Sequence, residues 1–327
     1  MKILFIGGTG NISHPISEQL IQKGHELWLL NRHTPIAGSQ HLACDIHNET
    51  QAAELLKNHE WNVVVNWVAF SAADIERDVR LFAGRVGQYI FISSASCYQN
   101  PGNSLYITED RLLDNPHWQY SRDKIAAEYA LMHAHTAQQF PATIVRPSHT
   151  YSRVIPLTLG GWTFYNAVAR MKQGKPIVVQ GDGTSLWTLT HADDFAKGFI
   201  GLLGKQESIG EAYHITSDEV LDWNTIYQQT AAAVGVKANI VHVASDTICR
   251  LYPEETGSLL GDKAVSALFD NHKIKSLVPS FKATIPYAQG ISRTIEWFEK
   301  EPSRQIIDAA TEQMLDTLVS IGSKAGL

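Results

Sequence analysis

Tyr120 and Lys124 stand four residues apart in a stretch, 115–134, whose composition predicts a helix with Pro116 in its first turn. Because helical side chains four residues apart share a face, the phenol and the ammonium would be neighbours. A nearby positive charge stabilises a phenolate and lowers the pKa of the phenol, so such a pair can act as a general acid and base. A tyrosine and a lysine at this spacing are also common on solvated helix faces, and the choice depends on the rest of the chain.

A glycine turn near the N-terminus is the second candidate site. Gly7 and Gly10 follow an apolar run, 2–6, and precede a helical pattern that continues to Lys23. In a strand–turn–helix setting, Gly7 would permit the tight turn and Gly10 the close approach of the backbone to a pyrophosphate. Ser13 replaces the third glycine of the usual pattern, and a structural turn without a ligand is the alternative.

The third group is a run of serines, 93–96, directly after the apolar stretch 88–92, which predicts a buried strand. In open parallel sheets, ligands bind at the carboxyl ends of the strands. The serine hydroxyls would therefore be delivered to the edge where a ligand binds.

The elements that must position these groups alternate through the first half of the chain. Strands are predicted at 2–6, 26–30, 62–66, 88–92, 142–146 and 213–216, with helices at 13–23, 49–58, 74–85 and 115–134. This alternation predicts an α/β fold with a doubly wound parallel sheet, or Rossmann fold. Beyond residue 150 the pattern loosens: helices are expected at 161–173, at 190–203 behind a capping box at Thr190, and over an amphipathic tail, 302–322, that caps the core.

Three units follow from this reading. We expect residues 1–155, with about 185–220, to form the dinucleotide-binding domain. Residues 156–184 and 221–300 would form a smaller, discontinuous C-terminal substrate lobe, and 301–327 a helical tail.

Composition excludes several classes of function. The 327 residues carry a net charge of −6 and no long run of Lys or Arg, which argues against a nucleic acid as the main partner. Three scattered cysteines suggest a reducing compartment, and the fourteen histidines form no metal motif, so we expect no metal site. The apolar run Ile3–Ile6 is too short to cross a membrane, and we expect a cytoplasmic protein without a membrane partner.

The end of the second strand bears on cofactor choice. An acidic residue there would hydrogen-bond the ribose hydroxyls of NAD, but the chain has Asn31 and Arg32. Arg32 could contact a 2′-phosphate, which weakly favours NADP, although an arginine at a strand end is often only solvated. Asp45 and Ile46 could border the adenine.

These motifs together resemble those of the NAD(P)-dependent epimerase/dehydratase family, which is part of the extended short-chain dehydrogenase/reductase superfamily. The resemblance rests on the glycine turn, FISSASCY ending at Tyr98, YSRDK beginning 26 residues after Ser94, Arg146-Pro147, GDGTSLWTLTHADDFA, and FDNHKIKSLVP at 269–279. It implies that Tyr120 is the catalytic acid/base and that Lys124 holds the nicotinamide ribose and lowers the Tyr120 pKa. It also implies that Ser94, with Ser96 as the second choice, hydrogen-bonds the reacting oxygen.

The same resemblance implies a set of cofactor-binding residues. These are Gly7, Gly10, Asn11, Ile12, Asn31, Arg32, Asp45, Ile46, Ala69, Tyr120, Lys124 and Pro147. Among them, Gly7, Gly10 and Ile12 would line the pyrophosphate, and Ala69 the inner ribose.

The substrate is less constrained, because the chain departs from the family pattern. Nucleotide-sugar enzymes of this family use an arginine to bind the diphosphate, and Trp187 stands at that position, which counts against a nucleotide-diphosphate sugar. Trp187 would either pack in the lobe or stack on the substrate. Ala95-Ser96 replaces the Asp-Glu pair of the 4,6-dehydratases, which disfavours dehydration.

Three functions remain open. The leading hypothesis is an NAD(P)-dependent oxidoreductase or epimerase acting on a sugar-like or other hydroxylated small molecule. An NADPH-dependent carbonyl reductase is the alternative within enzymes, and a non-catalytic NAD(P)-binding or RNA-associated protein is the alternative of another class. The resemblance also implies a homodimer that pairs the helices at 74–85 and 116–135.

Overall fold

A computed structural model describes residues 1–33 and 35–325. The strands are β1 (Lys2–Ile6), β2 (Glu26–Asn31), β3 (Gln40–Ala43), β4 (Trp61–Asn66), β5 (Val86–Ile92), β6 (Tyr106–Ile107), β7 (Ala142–Arg146), β8 (His149–Tyr151), β9 (Ile177–Gln180), β10 (Leu186–Trp187), β11 (Leu189–His191), β12 (Ala212–His214), β13 (Leu221–Asp222), β14 (Ile240–Val243) and β15 (Leu268–Phe269). The helices are α1 (Ser13–Gln22), α2 (Glu49–Leu56), α3 (Ala72–Phe82), α4 (Gln119–Gln138), α5 (Asn166–Lys172), α6 (Ala192–Leu202), α7 (Trp223–Ala232), α8 (Ser245–Leu251), α9 (Thr256–Ser258), α10 (His272–Leu277), α11 (Tyr287–Glu299) and α12 (Ala309–Ala325).

Seven parallel strands form the central sheet in the order β12-β7-β5-β4-β1-β2-β3. The order reverses on either side of β1, so ligands are expected at the carboxyl ends of the central strands. The predicted doubly wound sheet is confirmed. The sequence reading missed β3, whose QHLA segment is too short and too polar to indicate a strand, although it pairs with β2 from Trp28 to Asn31.

Helices cover both faces of this sheet, because successive side chains of a strand point to opposite sides. Ile3 and Phe5 of β1 belong to a core shared with α1, α6 and α10. Leu4 and Ile6 belong to a core shared with α2, α3 and α4. The buried strands therefore consist of nearly continuous apolar runs, as parallel strands covered on both faces do.

Short strands outside the central sheet form four two-stranded sheets. They pair as β9 with β14, β10 with β13, β8 with β11 and β6 with β15. A third core beside them collects aromatic and aliphatic side chains from α5, α7 and α11. The chain returns to the central sheet at β12 before it continues into α7.

Helix boundaries differ from the sequence prediction where polar side chains or glycines interrupt the helix. Helix α4 begins at Gln119 rather than at 115, because the Asn115 side chain accepts the amides of His117 and Trp118 in a preceding turn. Helix α5 begins only at Asn166, since the segment before it forms a tight loop in which Trp162 has φ 59.

Two further helix starts were also wrong. Helix α6 begins at Ala192, and the side chain of His191, not that of Thr190, accepts an amide at its start. In the tail, the main helix begins at Ala309, where the Asp308 carboxylate accepts the amide of Thr311. Phe195, Phe199 and Leu202 of α6 are buried against the central sheet.

The tail helix α12 packs against β9 and β14. Leu315 and Leu318 are buried there with Val178 of β9 and Val243 of β14. Arg170 of α5 holds the helix through Nη1, which lies 2.7 Å from oxygens of both Glu312 and Asp316. No helix in the described part of the chain is long and apolar enough to span a bilayer.

Candidate active site

A cavity of about 870 Å³ opens at the carboxyl ends of β1, β4, β5 and β7. The glycine turn and the start of α1, residues 7–13, line one end. Ser94, Tyr120 and Lys124 line the middle. The structure therefore brings together the three groups of residues that the sequence singled out.

The backbone at the glycine end suits a phosphate group. Gly7 and Gly8 have φ of +93 and +95, and a Cβ added to Gly8 would lie 2.7 Å from Leu29 Cδ2, so a side chain there is excluded. Gly10 has open space on the cavity side, where a Cβ would meet only Ser13 Oγ at 3.5 Å. Helix α1 has no side-chain cap and no acidic residue in its first turn. His14 donates its amide to the Gly10 carbonyl at 2.9 Å, and Pro15 has no amide proton. The amides just before them, at Asn11, Ile12 and Ser13, are therefore the ones that can bind an anion such as a pyrophosphate.

Lys124 lies one helical turn after Tyr120 and is almost completely buried. Its Nζ donates to the carbonyl oxygens of Ala69 at 2.6 Å and Ile92 at 2.8 Å. The ammonium also lies 4.5 Å from the ring centroid of Phe70, within cation–π range. These contacts fix Nζ at the carboxyl end of β5 and leave one N–H for a ligand.

The acidity of Tyr120 is dominated by its burial. Burial raises the pKa of Tyr120 to about 12, and the nearby Ser94 hydroxyl opposes only part of this rise. Lys124 Nζ lies 5.8 Å from the Tyr120 ring centroid and donates to carbonyls, and burial lowers its own pKa to about 8. The expected lowering of the Tyr120 pKa by Lys124 stays a prediction.

The hydroxyl of Ser94 is the first of three connected hydroxyls. Ser94 Oγ lies 2.8 Å from Ser96 Oγ, which lies 2.7 Å from Ser121 Oγ on α4. Ser94 Oγ also accepts the amide of Ser96 at 3.2 Å. Either hydroxyl can be the donor in these two contacts, and in the arrangement where Ser96 donates to Ser94, the Ser94 proton can be donated into the cavity.

A buried ion pair holds α4 to the sheet. Arg146, at the end of β7, donates from Nε to Glu128 Oε1 at 2.9 Å and from Nη2 to Glu128 Oε2 at 2.6 Å. Glu128 lies one helical turn beyond Lys124. The Arg146 side chain therefore positions α4, while Pro147 next to it lines the cavity.

Asn11 lines the cavity, but its side chain is used within the protein. Its Oδ1 accepts the amides of Ser152 and Arg153, both at 2.9 Å, and its Nδ2 donates to the Thr150 carbonyl at 2.9 Å. These contacts clamp the glycine turn to the loop after β8. Gly7, Gly10 and Ile12 also line the cavity.

Five predicted cofactor residues lie outside the cavity lining: Asn31, Arg32, Asp45, Ile46 and Ala69. Arg32 is 68% exposed and lies 3.8 Å from an oxygen of Asp45, so the two charges partly satisfy each other. Ala69 is buried and contributes only its carbonyl, to Lys124. Asn31, at the end of β2, supports the glycine turn by donating to the Gly7 carbonyl at 3.4 Å.

Trp187, which replaces the family's diphosphate-binding arginine, is a core residue. It is 2% exposed, packs 5.6 Å from Trp223 between ring centroids, and does not line the cavity. Of the two roles left open for Trp187, packing agrees with this position and stacking on a substrate does not.

The sequence reading missed the residues that line the far half of the cavity. They are Trp118, His149, Trp162, Glu255, Ser258, Asp262, Lys263, Thr311 and Met314. Trp118 stands two residues before Tyr120, a spacing that could have marked it. The others come from β8, from loops and short helical turns, from a π-helix, Leu259–Lys263, and from the tail, where no motif indicates a site.

Comparisons with known proteins agree with this architecture. A sequence model of the NAD dependent epimerase/dehydratase family matches residues 3–216. The chain belongs to this family. Among curated proteins it is similar to 2′-dehydrokanamycin reductase of Streptomyces kanamyceticus, with 24% identity over 86% of this chain and 80% of that protein. It is also similar to the chloroplast stem-loop binding protein of 41 kDa b of Arabidopsis thaliana, with 25% identity over 74% of this chain and 65% of that protein.

The fold has close counterparts among solved structures. UDP-glucuronic acid 4-epimerase from Bacillus cereus, in complex with NAD, superposes with a TM-score of 0.72 at 20% identity, over 95% of this chain and all of that chain. At this identity the likeness establishes the fold. The family and most of these relatives are epimerases, dehydratases and reductases.

Proposed function

We propose that this protein is an NAD(P)-dependent oxidoreductase that transfers hydride at a carbinol or carbonyl carbon of a hydroxylated small molecule. The observation that carries the proposal is the single cavity that joins the uncapped start of α1 to Tyr120, Lys124 and Ser94. A nicotinamide dinucleotide bound there would supply the hydride donor or acceptor. The glycine turn and the α1 amides fit its pyrophosphate.

The side chains then have distinct roles. Tyr120 holds the proton that is given to a carbonyl oxygen during reduction, or takes it from a hydroxyl during oxidation. Its raised pKa keeps the phenol protonated at neutral pH, which suits the donation of a proton. Ser94 donates to the same oxygen as charge develops on it, and Lys124 offers its remaining N–H to a ribose hydroxyl.

Both cofactors remain candidates. NAD is present in related structures such as the 4-epimerase, and Arg32 weakly favours NADP. The contact between Arg32 and Asp45 is long, at 3.8 Å, and exposed. It is therefore weak, and a 2′-phosphate could replace the carboxylate as the partner of Arg32. Titration of the protein with NADH and NADPH, followed by fluorescence, decides between them, and Arg32→Ala should weaken only NADPH.

A reductase acting on a substrate without a nucleotide is favoured over a nucleotide-sugar epimerase. Trp187 cannot pair with a diphosphate, and a relative acts as a 2′-dehydrokanamycin reductase. A non-catalytic, RNA-associated role is the second candidate, since another relative binds a chloroplast stem-loop. The net charge of −6 and the retained Tyr120 and Lys124 count against it.

We also propose a homodimer through α3 and α4, which pack side by side on one face of the sheet. Tyr129 of α4 is 63% exposed, as an interface residue would be in a single chain. Light scattering should then give twice the chain mass for the wild-type protein and a monomer for Tyr129→Glu. The division into a dinucleotide-binding domain, a substrate lobe and a tail stays a proposal.

Reduced nicotinamide absorbance tests the function directly. The protein is incubated with NAD⁺ or NADP⁺ and with kanamycin, glucose or UDP-glucuronic acid, and in the reverse direction with NADPH and the corresponding ketones. Turnover of any of these, with either cofactor, supports an oxidoreductase. A protein that binds neither NAD(H) nor NADP(H) would contradict the proposed function.

A further inference from the structure

We propose that the far half of the cavity selects a cationic substrate, a polyhydroxylated amine without phosphate groups. This inference rests on the proposed function in taking Tyr120 as the reacting end. The far wall carries two carboxylates, Glu255 and Asp262, and one ammonium, Lys263. A ligand that fills this space must neutralise the excess of negative charge.

The two carboxylates are incompletely satisfied by the protein. Asp262 has one partner in the described residues, Lys263 Nζ at 3.0 Å from Oδ2, and its other oxygen accepts no hydrogen bond from them. Glu255 has no side-chain partner within the same residues. Burial raises the pKa of both carboxyl groups, so the protein alone stabilises their ionised forms less well than water does. An ammonium from a ligand would supply the missing partner and favour the ionised carboxylates.

Phosphate, by contrast, has little to bind at this wall. Lys263 is already engaged by Asp262 and lies 3.4 Å from the Ser258 hydroxyl. Lys124 is held by backbone carbonyls in the other half of the cavity. No arginine lines the cavity within residues 1–33 and 35–325. A diphosphate would therefore face two carboxylates without the guanidinium groups that usually recognise it.

His149 is an independent sign of a missing polar ligand. Its side chain lines the same cavity, is 8% exposed, and neither ring nitrogen has a hydrogen-bond partner in the described part of the protein. Burial and the charge of Lys263 hold its pKa well below the usual value, so the ring is neutral and offers one donor and one acceptor. Unpaired buried polar atoms are costly, and a substrate hydroxyl could satisfy them.

The wall is fixed in position relative to the reacting residues. Asp262 and Lys263 lie on the π-helix, a rare element that often occurs at functional sites. A Cβ on Gly257 would lie 2.2 Å from Trp118 Cδ1, so the wall packs directly on the residue that precedes α4. Asp262 and Lys263 line the same cavity as Tyr120, and the charge of Asp262 adds to the raised pKa of Tyr120. Amine and reacting hydroxyl must therefore belong to one small molecule.

Calorimetry on the protein saturated with its dinucleotide tests this selection. The probes are kanamycin, fully N-acetylated kanamycin, which lacks the charges, and UDP-glucose. We expect kanamycin to bind about tenfold more tightly than its acetylated form, the effect of one charge-assisted hydrogen bond. Glu255→Gln and Asp262→Asn should each lower this preference severalfold. Glu254→Gln, an exposed neighbour outside the cavity, should leave it unchanged.

Four results would contradict the selection of a cationic substrate. Absence of kanamycin binding, equal binding of the acetylated form, or tighter binding of UDP-glucose would overturn the proposal, as would an effect of Glu254→Gln equal to that of Glu255→Gln. Dinucleotide affinity reports whether each variant is folded. Calorimetry measures ligand binding without turnover, so a negative result there contradicts only the selection of a cationic substrate. The proposed function fails by a different result, unchanged turnover in Tyr120→Phe.

Discussion

Asn115 connects three parts of the active site, and its removal should damage all three. Its Nδ2 donates to the carbonyls of Ser96 at 2.9 Å and Gly261 at 2.7 Å. Its Oδ1 accepts the amides of His117 and Trp118 at 3.2 and 3.1 Å. The side chain therefore joins the serine turn, the acidic π-helix and the start of α4.

The expected loss of stability in Asn115→Ala follows from these four hydrogen bonds. Asn115 is 3% exposed, so Asn115→Ala leaves buried donors and acceptors without partners that water can replace only in part. At about 1 kcal/mol for each of the four hydrogen bonds, less some relaxation, we expect a loss of about 3 kcal/mol in the free energy of unfolding. Turnover should fall by roughly a hundredfold, because a misplacement of about 1 Å has that effect.

Urea unfolding and steady-state kinetics measure both effects. Asn62→Ala is the matched control, since Asn62 is exposed and accepts a single hydrogen bond, from the Lys2 amide at 2.7 Å. It should lose about 1 kcal/mol or less and keep its turnover. Dinucleotide affinity should stay nearly unchanged in both variants. A loss below about 0.5 kcal/mol in Asn115→Ala, or equal losses in the two variants, would refute the reasoning.

Three further predictions concern the helices that support the site. Glu128→Gln leaves the buried Arg146 guanidinium with an uncharged partner and should cost about 3 kcal/mol in the free energy of unfolding, measured in urea. Glu49→Gln, which breaks an exposed ion pair, should cost much less, and equal losses would contradict this. The Lys124 pKa is about 8 in the folded protein and 10.5 ordinarily, so the unfolded chain binds more protons between these values, and the free energy of unfolding should rise with pH across that window by up to about 1.4 kcal/mol per unit. Lys124→Met should remove that rise; an unchanged slope would contradict the buried ammonium. Leu318→Ala leaves a cavity at a fully buried position of α12 and should lower the free energy of unfolding by about 3 kcal/mol. It should also raise the KM for substrate. An unchanged melting curve would show that the tail is not part of the fold.

Much of the fold could be predicted because local and global signals agree. The apolar strands of the central sheet are buried on both faces, and their runs are therefore legible in the sequence. The glycine turn could be predicted for the same reason, since it lies between a strong strand and a helix. Helix α4 was placed four residues too early because the side-chain contacts of Asn115 favour a turn over the helix that local composition indicates.

Only part of the candidate site could be predicted from the sequence. Tyr120, Lys124, Ser94 and the glycine turn stand in recognisable motifs, and they meet in one cavity. Glu255, Asp262 and His149 come from segments whose positions depend on tertiary packing, such as the close approach of Gly257 to Trp118. The raised pKa of Tyr120 could not be predicted either, because it depends mainly on how deeply the folded chain buries the phenol.

The most direct test of the central claim compares Tyr120→Phe with the wild-type protein. Phenylalanine keeps the ring and removes only the hydroxyl that transfers the proton. We predict that dinucleotide binding stays within about twofold, while turnover falls by at least about a hundredfold, the range of general acid–base catalysis. Full turnover in the variant would contradict the role of Tyr120, and so would the loss of dinucleotide binding together with turnover.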